Sequence, residues 1–320
     1  NTNPELTKIK GLTAFSHVLT ESNTTHKSVP MLMSSVTAHD FNSIYRQKGI
    51  ITAFKEAGYR TAFFSNQRYN HSFIDFFGKE ADICDFIKED AGDGSYNPSD
   101  DELLKLVAAE LAENASKQFI VLHTYGSHFN YRERYPADHA FFLPDFPVDA
   151  ELKYKDNLIN AYDNSIRYTD NFLARLIRML QEQDIDAAML YTSDHGEDIF
   201  DDDRHLFLHA SPVPSYYQIH VPFLIWMSDN YRKNYPDLFK NAEINRQKNI
   251  SSSASFFQTM LELGGIDTPS RNDSLSVINA SYTEKNRVYL NDHNEARSLN
   301  DIGMREEDFT MLQTKGIVYR

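Results

Sequence analysis

Short apolar runs that alternate with longer helical patterns constrain the fold of this chain more than any other feature of its sequence. The runs that predict strands cover residues 60–65, 119–124, 187–192 and 221–227. The patterns that predict helices cover residues 50–57, 101–115, 151–183 and 252–263. Such an alternation is typical of parallel sheets that are covered by helices. We therefore predict an α/β fold, with a mostly parallel central sheet and helices on both of its faces.

The domain organisation follows from length and composition. The chain has 320 residues, of which 41% are hydrophobic and 24% are charged, as in ordinary globular proteins with a sizeable core. We predict one large domain over residues 1–271 and a C-terminal extension over residues 272–320 that packs on the same domain. A Gly-rich stretch at 91–98 predicts a surface loop, and the proline- and aromatic-rich stretch 132–150 predicts a long ordered excursion.

Charge and hydropathy limit the partners of the chain. It carries 32 Lys and Arg side chains against 46 Asp and Glu, and the resulting net charge of −14 opposes binding to nucleic acid. No apolar run reaches the roughly 18 residues of a membrane span. Cys84 is the single cysteine, so an internal disulfide is excluded. We therefore expect no nucleic-acid partner and no membrane span within these residues.

Polar residues follow three of the predicted strands, at Ser65-Asn66, His123-Thr124 and Ser193-Asp194-His195. In open α/β sheets, ligands bind beyond the carboxyl ends of the strands. Asp194 and His195 offer an oxygen and a nitrogen ligand side by side, which suits Zn²⁺ or Mn²⁺, and Gly196 allows a sharp turn after them. The alternatives are a turn with a satisfied polar pair, or strand ends that are polar only because they reach the surface.

A second signal is the hydroxyl-rich segment 22–28, which runs into an apolar segment at Pro30. Proline is tolerated in the first turn of a helix, so a helix is predicted to begin there. The amides and the positive dipole end of that helix would face an anion held by the loop hydroxyls, and phosphate is the natural candidate. The alternative is that these hydroxyls belong to ordinary capping and turn residues.

Histidines form the third signal, because neutral imidazole is a common metal ligand and acid–base group. Among the 12 histidines, those beside or after candidate strands are His123, His128, His195, His205, His209 and His220. His128 and His209 stand out because each lies near a strand end or the turn at Asp194. A single histidine is more often a hydrogen-bonded structural residue, so that alternative stays open for each of them.

In their order along the chain, these segments resemble the phosphoethanolamine transferases, a family of alkaline-phosphatase-like, sulfatase-like enzymes that modify lipid A and other envelope glycans. The landmarks are Asn3-Pro4, Phe15-Ser16, Thr25 with Ser28-Val29-Pro30, Gly126-Ser127-His128 with Arg134-Tyr135-Pro136, Asn160-Ala161-Tyr162-Asp163-Asn164, Ser193-Asp194-His195-Gly196-Glu197, Leu208-His209 and Val221-Pro222. Each landmark alone is weak, whereas the ordered set is specific. The resemblance implies an alkaline phosphatase/sulfatase-like fold, with residues 1–271 as the catalytic domain.

The resemblance also implies a nucleophile and a metal site. Thr25 matches the nucleophile of the family and, together with Asp194 and His195, its metal ligands. The expected cofactor is one or two Zn²⁺ ions, with Mn²⁺ as an alternative. A further ligand of the family is a glutamate in a Gly-Glu-Ser-like strand end, and we expect it before Asn1, outside this sequence.

Other residues are implied to act on the substrate. His128 and His209 match catalytic histidines that lie across the pocket and either hold a second metal or assist the donor phosphate and the leaving group. Asn66 and Glu197 are expected to bind substrate.

The implied reaction takes phosphoethanolamine from phosphatidylethanolamine. Thr25 would attack the donor phosphorus, release diacylglycerol, and pass the group to a lipid A phosphate or to a glycan hydroxyl of the cell envelope. The resemblance further implies an anchor in the cytoplasmic (inner) membrane through an upstream segment. We expect this domain to face the periplasm and to be a monomer.

Three rival interpretations differ in chemistry. A sulfatase would need a Cys or Ser in a Cys-x-Pro-x-Arg-like segment, which Thr25 to Pro30 does not supply. A phosphoglycerol transferase of the lipoteichoic-acid synthase type shares the threonine, the metal and the fold, and it stays the main alternative beside other sulfatase-superfamily phosphohydrolases. From a different class, an inactive domain that binds envelope phosphates stays open, although five retained site residues argue against it.

Overall fold

A computed structural model describes residues 1–88 and 98–319, so the predicted surface loop at 91–98 lies outside the described residues except for Pro98. The chain forms two compact units. The first unit comprises Asn1–Lys10, Gly58–Asp184 and Ile199–Phe207, and the second comprises Gly11–Ala57, Ile185–Asp198 and the chain from Leu208 onward. The predicted domain boundary near residue 271 stays a prediction.

Strands and helices alternate along the chain. The strands are β1 (Leu12–Phe15), β2 (Val18–Leu19), β3 (Arg60–Ser65), β4 (Ile83–Phe86), β5 (Gln118–His123), β6 (Ala188–Thr192), β7 (Asp198–Ile199), β8 (Phe207–Leu208), β9 (Phe223–Met227), β10 (Ile250–Ser251), β11 (Val288–Leu290) and β12 (Ala296–Ser298). The α-helices are α1 (Thr25–Met33), α2 (Ile50–Glu56), α3 (Phe73–Gly78), α4 (Asp101–Ala112), α5 (Lys155–Gln181), α6 (Tyr216–Ile219), α7 (Asp229–Asn234), α8 (Pro236–Asn245), α9 (Ser252–Leu263) and α10 (Glu306–Thr314).

The first unit contains a parallel sheet in the order β4, β3, β5. Strand β3 supplies a run of buried apolar side chains, and its last residue, Ser65, pairs in register with His123 at the end of β5. The strands predicted at 60–65 and 119–124 are therefore confirmed. Because parallel strands end at the same edge, the polar residues that follow β3 and β5 come together.

The long helix of the first unit is confirmed with different ends. Residues Leu152–Tyr154 form a short 3-10 turn, and α5 then runs from Lys155 to Gln181 with a buried stripe that includes Leu158, Leu173 and Ile177. The carboxylate of Asp170 in this helix accepts the backbone N–H groups of Glu5 and Leu6 at 2.8 and 2.9 Å, which ties the first ten residues to it.

The second unit contains a sheet in the order β1, β9, β6, and β9 runs antiparallel to both neighbours. Phe223, Ile225 and Trp226 of β9 are buried, as expected for a central strand. The strands predicted at 187–192 and 221–227 are confirmed, with β9 starting at Phe223. Both pairings of this sheet are therefore antiparallel, whereas both pairings of the sheet β4, β3, β5 are parallel.

Helix ends in both units follow local signals. Helix α9 has the predicted bounds, since Gly264 ends it and Gly265 adopts the left-handed φ of +61° that glycine favours. Helix α4 starts at Asp101 as predicted and ends at Ala112, before the predicted end. No helix among the described residues is long and apolar enough to cross a membrane.

The C-terminal residues share hydrophobic clusters with the rest of the second unit. Val277 and Ile278 lie in one cluster with Phe223 of β9. Tyr289 and Leu312 lie in another cluster, whose further members include Leu19 and Ile219. The C-terminal residues therefore contribute to the core of this unit.

Candidate active site

Helix α1 begins at Thr25, which corrects the predicted start at Pro30. The carbonyl of Thr24 accepts the amides of Lys27 and Ser28 at 3.0 and 2.9 Å, so the first turn is complete before the proline. Pro30 lies inside the helix, where it removes one backbone hydrogen bond without ending the helix. The hydroxyl of Thr25 therefore lies at the amino end of α1, where the helix dipole is positive.

The turn that follows β6 holds Asp194 and His195 in place. Gly196 is required there because a Cβ at this position would lie 2.1 Å from the carbonyl oxygen of Tyr217. The Gly196 amide donates to the Gln218 carbonyl at 2.8 Å, and the Thr20 hydroxyl donates to the Asp194 carbonyl at 2.8 Å. The turn is thus fixed by two different segments of the second unit.

Thr25 and Asp194 both lie close to one ring nitrogen of His195. Thr25 Oγ1 lies 3.0 Å from His195 Nε2, and the same nitrogen lies 3.4 Å from Asp194 Oδ2. His195 Nδ1 lies 3.0 Å from the Gly196 carbonyl oxygen, which can only accept. Nδ1 of a neutral His195 therefore carries the hydrogen, and Nε2 presents its lone pair to Thr25 and Asp194.

His209 and Glu197 form a second pair beside these residues. His209 Nδ1 lies 3.2 Å from Glu197 Oε1, and the His209 ring packs against the His195 ring at a centroid distance of 3.9 Å. The Glu197 side chain is 7% exposed and the His209 side chain is 22% exposed. The carboxylate of Glu197 thus orients His209, and its predicted contact with substrate stays a prediction.

The oxygen and nitrogen atoms of Thr25, Asp194 and His195 suit a divalent metal ion. In a tetrahedral zinc site with bonds of about 2.0–2.1 Å, ligand atoms lie about 3.3 Å apart. The separations of 3.0 and 3.4 Å around His195 Nε2 match that spacing. Within residues 1–88 and 98–319, no group of three or more His, Cys, Asp or Glu side chains could hold a metal. The Thr25 hydroxyl oxygen lies beside the Asp194 and His195 atoms, so the three residues fit part of a tetrahedral site.

Asn66 and His128 lie in the first unit, among the residues that follow β3 and β5. The buried side chain of Asn66 donates to the Pro98 carbonyl and to Asp100 Oδ1, at 2.9 and 2.8 Å. His128 Nδ1 lies 2.6 Å from the Phe129 carbonyl, and the ring packs edge-on against Tyr125. Five of the predicted site residues therefore come together in the second unit, and these two belong to the first.

A buried acid, Glu21, precedes the candidate nucleophile Thr25 in a segment that carries no motif for it. Glu21 is 3% exposed, and burial raises the pKa of its carboxyl to about 7 against the opposing positive charge of Arg287. Burial in turn lowers the pKa of Arg287 to about 10. No local pattern marks this pair, because Glu21 and Arg287 are far apart in sequence.

Residues 1–266 match the sulfatase family. The chain is 25% identical over 297 residues to phosphoethanolamine transferase EptC of Escherichia coli, which covers 89% of this chain and 50% of that protein. It is 30% identical over 263 residues to Kdo(2)-lipid A phosphoethanolamine 7''-transferase of Escherichia coli, which covers 78% of this chain and 44% of that protein. The chain thus spans about half the length of the curated relatives that it matches.

A solved structure shares the fold. The crystal structure of the C-terminal periplasmic domain of EptC from Escherichia coli, in complex with Zn, superposes with a TM-score of 0.83 at 22% identity, over 94% of this chain and 87% of that chain. These similarities confirm the predicted alkaline phosphatase/sulfatase-like fold and the resemblance to phosphoethanolamine transferases.

Proposed function

The chain belongs to the sulfatase family, and we propose that it is the catalytic part of a metal-dependent phosphoethanolamine transferase. The arrangement of Thr25, Asp194 and His195 supports this proposal most directly, because a hydroxyl and a carboxylate both lie within 3.4 Å of one imidazole nitrogen. The names of the relatives support the transferred group. Within the family, a sulfatase would need a Cys or Ser in place of Thr25.

We assign the metal site to Thr25, Asp194 and His195, with zinc as the ion, because a similar solved structure is described as a complex with Zn. When bound there, Zn²⁺ would lower the pKa of the Thr25 hydroxyl and neutralise charge on the phosphoryl oxygens. The Nδ1–H group of His195 donates to Gly196 and holds the ring so that Nε2 faces the metal position.

The transfer proceeds in two displacements at phosphorus. Thr25 Oγ1 gives up its proton and forms a bond to the phosphorus of phosphatidylethanolamine, the bond from phosphorus to the glycerol oxygen breaks, and that oxygen takes up a proton as diacylglycerol leaves. An oxygen of a lipid A phosphate or a glycan hydroxyl then attacks the same phosphorus. The bond to Thr25 Oγ1 breaks, and Oγ1 regains a proton. The positive end of α1 stabilises negative charge on the phosphoryl group in both steps.

His209 is suited to move the protons. Glu197 accepts the Nδ1–H of the neutral ring, so Nε2 is the nitrogen that exchanges protons with the leaving and entering oxygens. We propose the same type of role for His128, and substrate binding for Asn66 and Glu197. We further propose that the whole protein is anchored in the inner membrane with this domain in the periplasm, as a monomer.

The main alternative is a phosphoglycerol transferase, which would use the same nucleophile and metal on a different headgroup. The named relatives transfer phosphoethanolamine, which favours our proposal over this alternative. Donor lipids with labelled headgroups distinguish the two, because only one label would be retained on the protein.

The direct test is mass spectrometry of the intact chain after incubation with zinc and phosphatidylethanolamine. A mass gain of one phosphoethanolamine group on the wild type, and none on Thr25→Ala, is the expected result. Thr169→Ala serves as a control, because that helical hydroxyl only bonds back to the Ser165 carbonyl. If no adduct forms, the assay is repeated on a form extended before Asn1, and a second failure overturns the proposal.

A further inference from the structure

One buried carboxamide joins three loops of the candidate active site. Gln218 Nε2 donates to Asp198 Oδ2 at 2.6 Å, to Ser211 Oγ at 2.9 Å and to the Leu208 carbonyl at 3.2 Å. Gln218 Oε1 accepts from Asn23 Nδ2 at 2.5 Å. Its neighbours thus come from the loop before α1, from the segment after Glu197, and from the segment around His209.

The C-terminal hairpin of β11 and β12 extends this network. The Tyr289 hydroxyl donates to Asn23 Oδ1 at 2.6 Å, and the next residue, Leu290, donates its amide to the Glu21 carbonyl at 2.7 Å. The Lys27 ammonium donates to the Asn291 carbonyl at 2.7 Å. The hairpin therefore holds the nucleophile loop on both sides of Thr25.

The network is closed to water and largely satisfied. Gln218, Asp198, Asn23 and Tyr289 are exposed by 0%, 1%, 2% and 3%, respectively. The Ser215 hydroxyl adds a hydrogen bond to Asp198 Oδ2 at 2.9 Å. In a buried network each member is held by its partners, so satisfied networks are rigid and change as units.

Each contact lies next to a proposed catalytic residue. Asn23 is two residues before Thr25, Asp198 follows Glu197, and Leu208 precedes His209. A displacement of about 1 Å in a reacting group can reduce the rate by about 100-fold. The network therefore sets the distance between the nucleophile and the groups that move protons.

We propose that Gln218 and Tyr289 are positioning residues of the transfer reaction, with neither touching the substrate. This inference rests on the proposed function, and it assigns the C-terminal hairpin a role in aligning the nucleophile loop. Asn23 links the two residues, so the loss of either one releases the segment that leads to Thr25.

The test compares Tyr289→Phe with a matched variant. Tyr289→Phe keeps the ring in its hydrophobic cluster and removes one hydroxyl, and we expect about a tenfold loss in kcat with an unchanged KM for phosphatidylethanolamine. Gln218→Glu places a carboxylate against Asp198 and the Leu208 carbonyl, and we expect about a 100-fold loss. The control is Tyr231→Phe, since its buried hydroxyl donates to the Leu263 carbonyl at 2.7 Å, outside the network.

Hydrogen–deuterium exchange gives a readout that does not depend on activity. We expect the amides of residues 20–28 to exchange about tenfold faster in Tyr289→Phe than in the wild type, and at the wild-type rate in Tyr231→Phe. If neither the wild type nor the form extended before Asn1 transfers the group, the proposed function fails, and exchange alone then decides whether the network positions the loop.

Three results would overturn the inference. The first is unchanged exchange and unchanged kcat in both Tyr289→Phe and Gln218→Glu. The second is an equal loss of kcat in Tyr231→Phe, which would indicate general destabilisation. The third is a rise in KM at constant kcat, which would indicate donor binding by the network.

Discussion

Polar residues gather after strands in both units of the chain, yet the two clusters use their atoms differently. In the first unit, the Asp100 carboxylate accepts from Asn66 Nδ2 and from the amides of Tyr125 and Gly126, at 2.8 to 2.9 Å. In the second unit, Thr25 Oγ1 and Asp194 Oδ2 both approach the lone pair of His195 Nε2. Asn66 Oδ1 is buried without a hydrogen-bond partner among the described residues, but the other contacts of the first cluster pair donors with acceptors, as in a structural cluster. Ligand atoms that approach one another are instead typical of a metal site.

Polar strand ends alone therefore do not identify a catalytic site. The two clusters differ in which side-chain atoms face each other. That depends on how side chains from distant segments are oriented.

Replacing Thr25, the proposed nucleophile, tests the second unit most severely. Thr25→Ala should abolish the covalent adduct and lower transfer by about 10⁴-fold or more, because no other group replaces the attacking oxygen. Thr25→Ser, which keeps the hydroxyl, should retain measurable transfer. Steady-state release of diacylglycerol measures both variants. Equal activity in Thr25→Ala and the wild type would contradict the assignment.

Asp194→Asn tests whether the converging atoms bind metal. The amide keeps the shape and loses the charge, so we expect zinc content to fall and transfer to drop on the order of 10³-fold. Elemental analysis of the purified chain measures the metal directly. The counterpart in the first unit, Asp100→Asn, should retain the zinc content of the wild type. Loss of zinc from both variants would remove the distinction between the clusters.

Glu21→Gln tests the buried acid of the nucleophile loop. Burial raises its pKa from 4.5 to about 7, so the folded chain keeps this proton over a range in which the unfolded chain has lost it. The contribution of Glu21 to the free energy of unfolding is therefore full below about pH 4.5. It decreases by about 3 kcal/mol in total as the pH rises to about 7. Urea unfolding at about pH 5 and pH 8 should show a smaller pH effect in Glu21→Gln. The exposed Glu56→Gln should behave like the wild type.

Asp100→Asn should mainly change stability. The substitution leaves at least one amide of the Tyr125–Gly126 turn without its carboxylate acceptor, at a cost of about 1–3 kcal/mol in the free energy of unfolding. Asp101→Asn is the control, because Asp101 makes a partly exposed ion pair with Arg175 worth under about 1 kcal/mol. A strong loss of transfer in Asp100→Asn at unchanged stability would assign this cluster a part in the reaction.

Local signals accounted for much of the secondary structure. The period of apolar residues placed β3 and α9 at their observed bounds, and Gly264 and Gly265 ended α9 as expected. The start of α1 was misplaced because proline marks a first helical turn only on average, and the backbone carbonyl of Thr24 already accepts the amides of Lys27 and Ser28 ahead of Pro30. The direction of β9 also lay beyond local signals, since strand direction depends on the path of the chain between strands.

Periodicity and short motifs were enough to predict the class of fold and the strand that leads to Asp194 and His195, and the family resemblance implied Thr25 as the candidate nucleophile. Three contacts became visible only in the folded chain: Glu197 orients His209, Glu21 is buried near Arg287, and the Tyr289 hydroxyl donates to Asn23. Tyr289 and Asn23 are 266 residues apart, and a hydrogen bond across that separation leaves no trace in local spacing. Such contacts form only when the hydrophobic cores bring distant segments together, so spacing along the sequence does not reveal which atoms align the site.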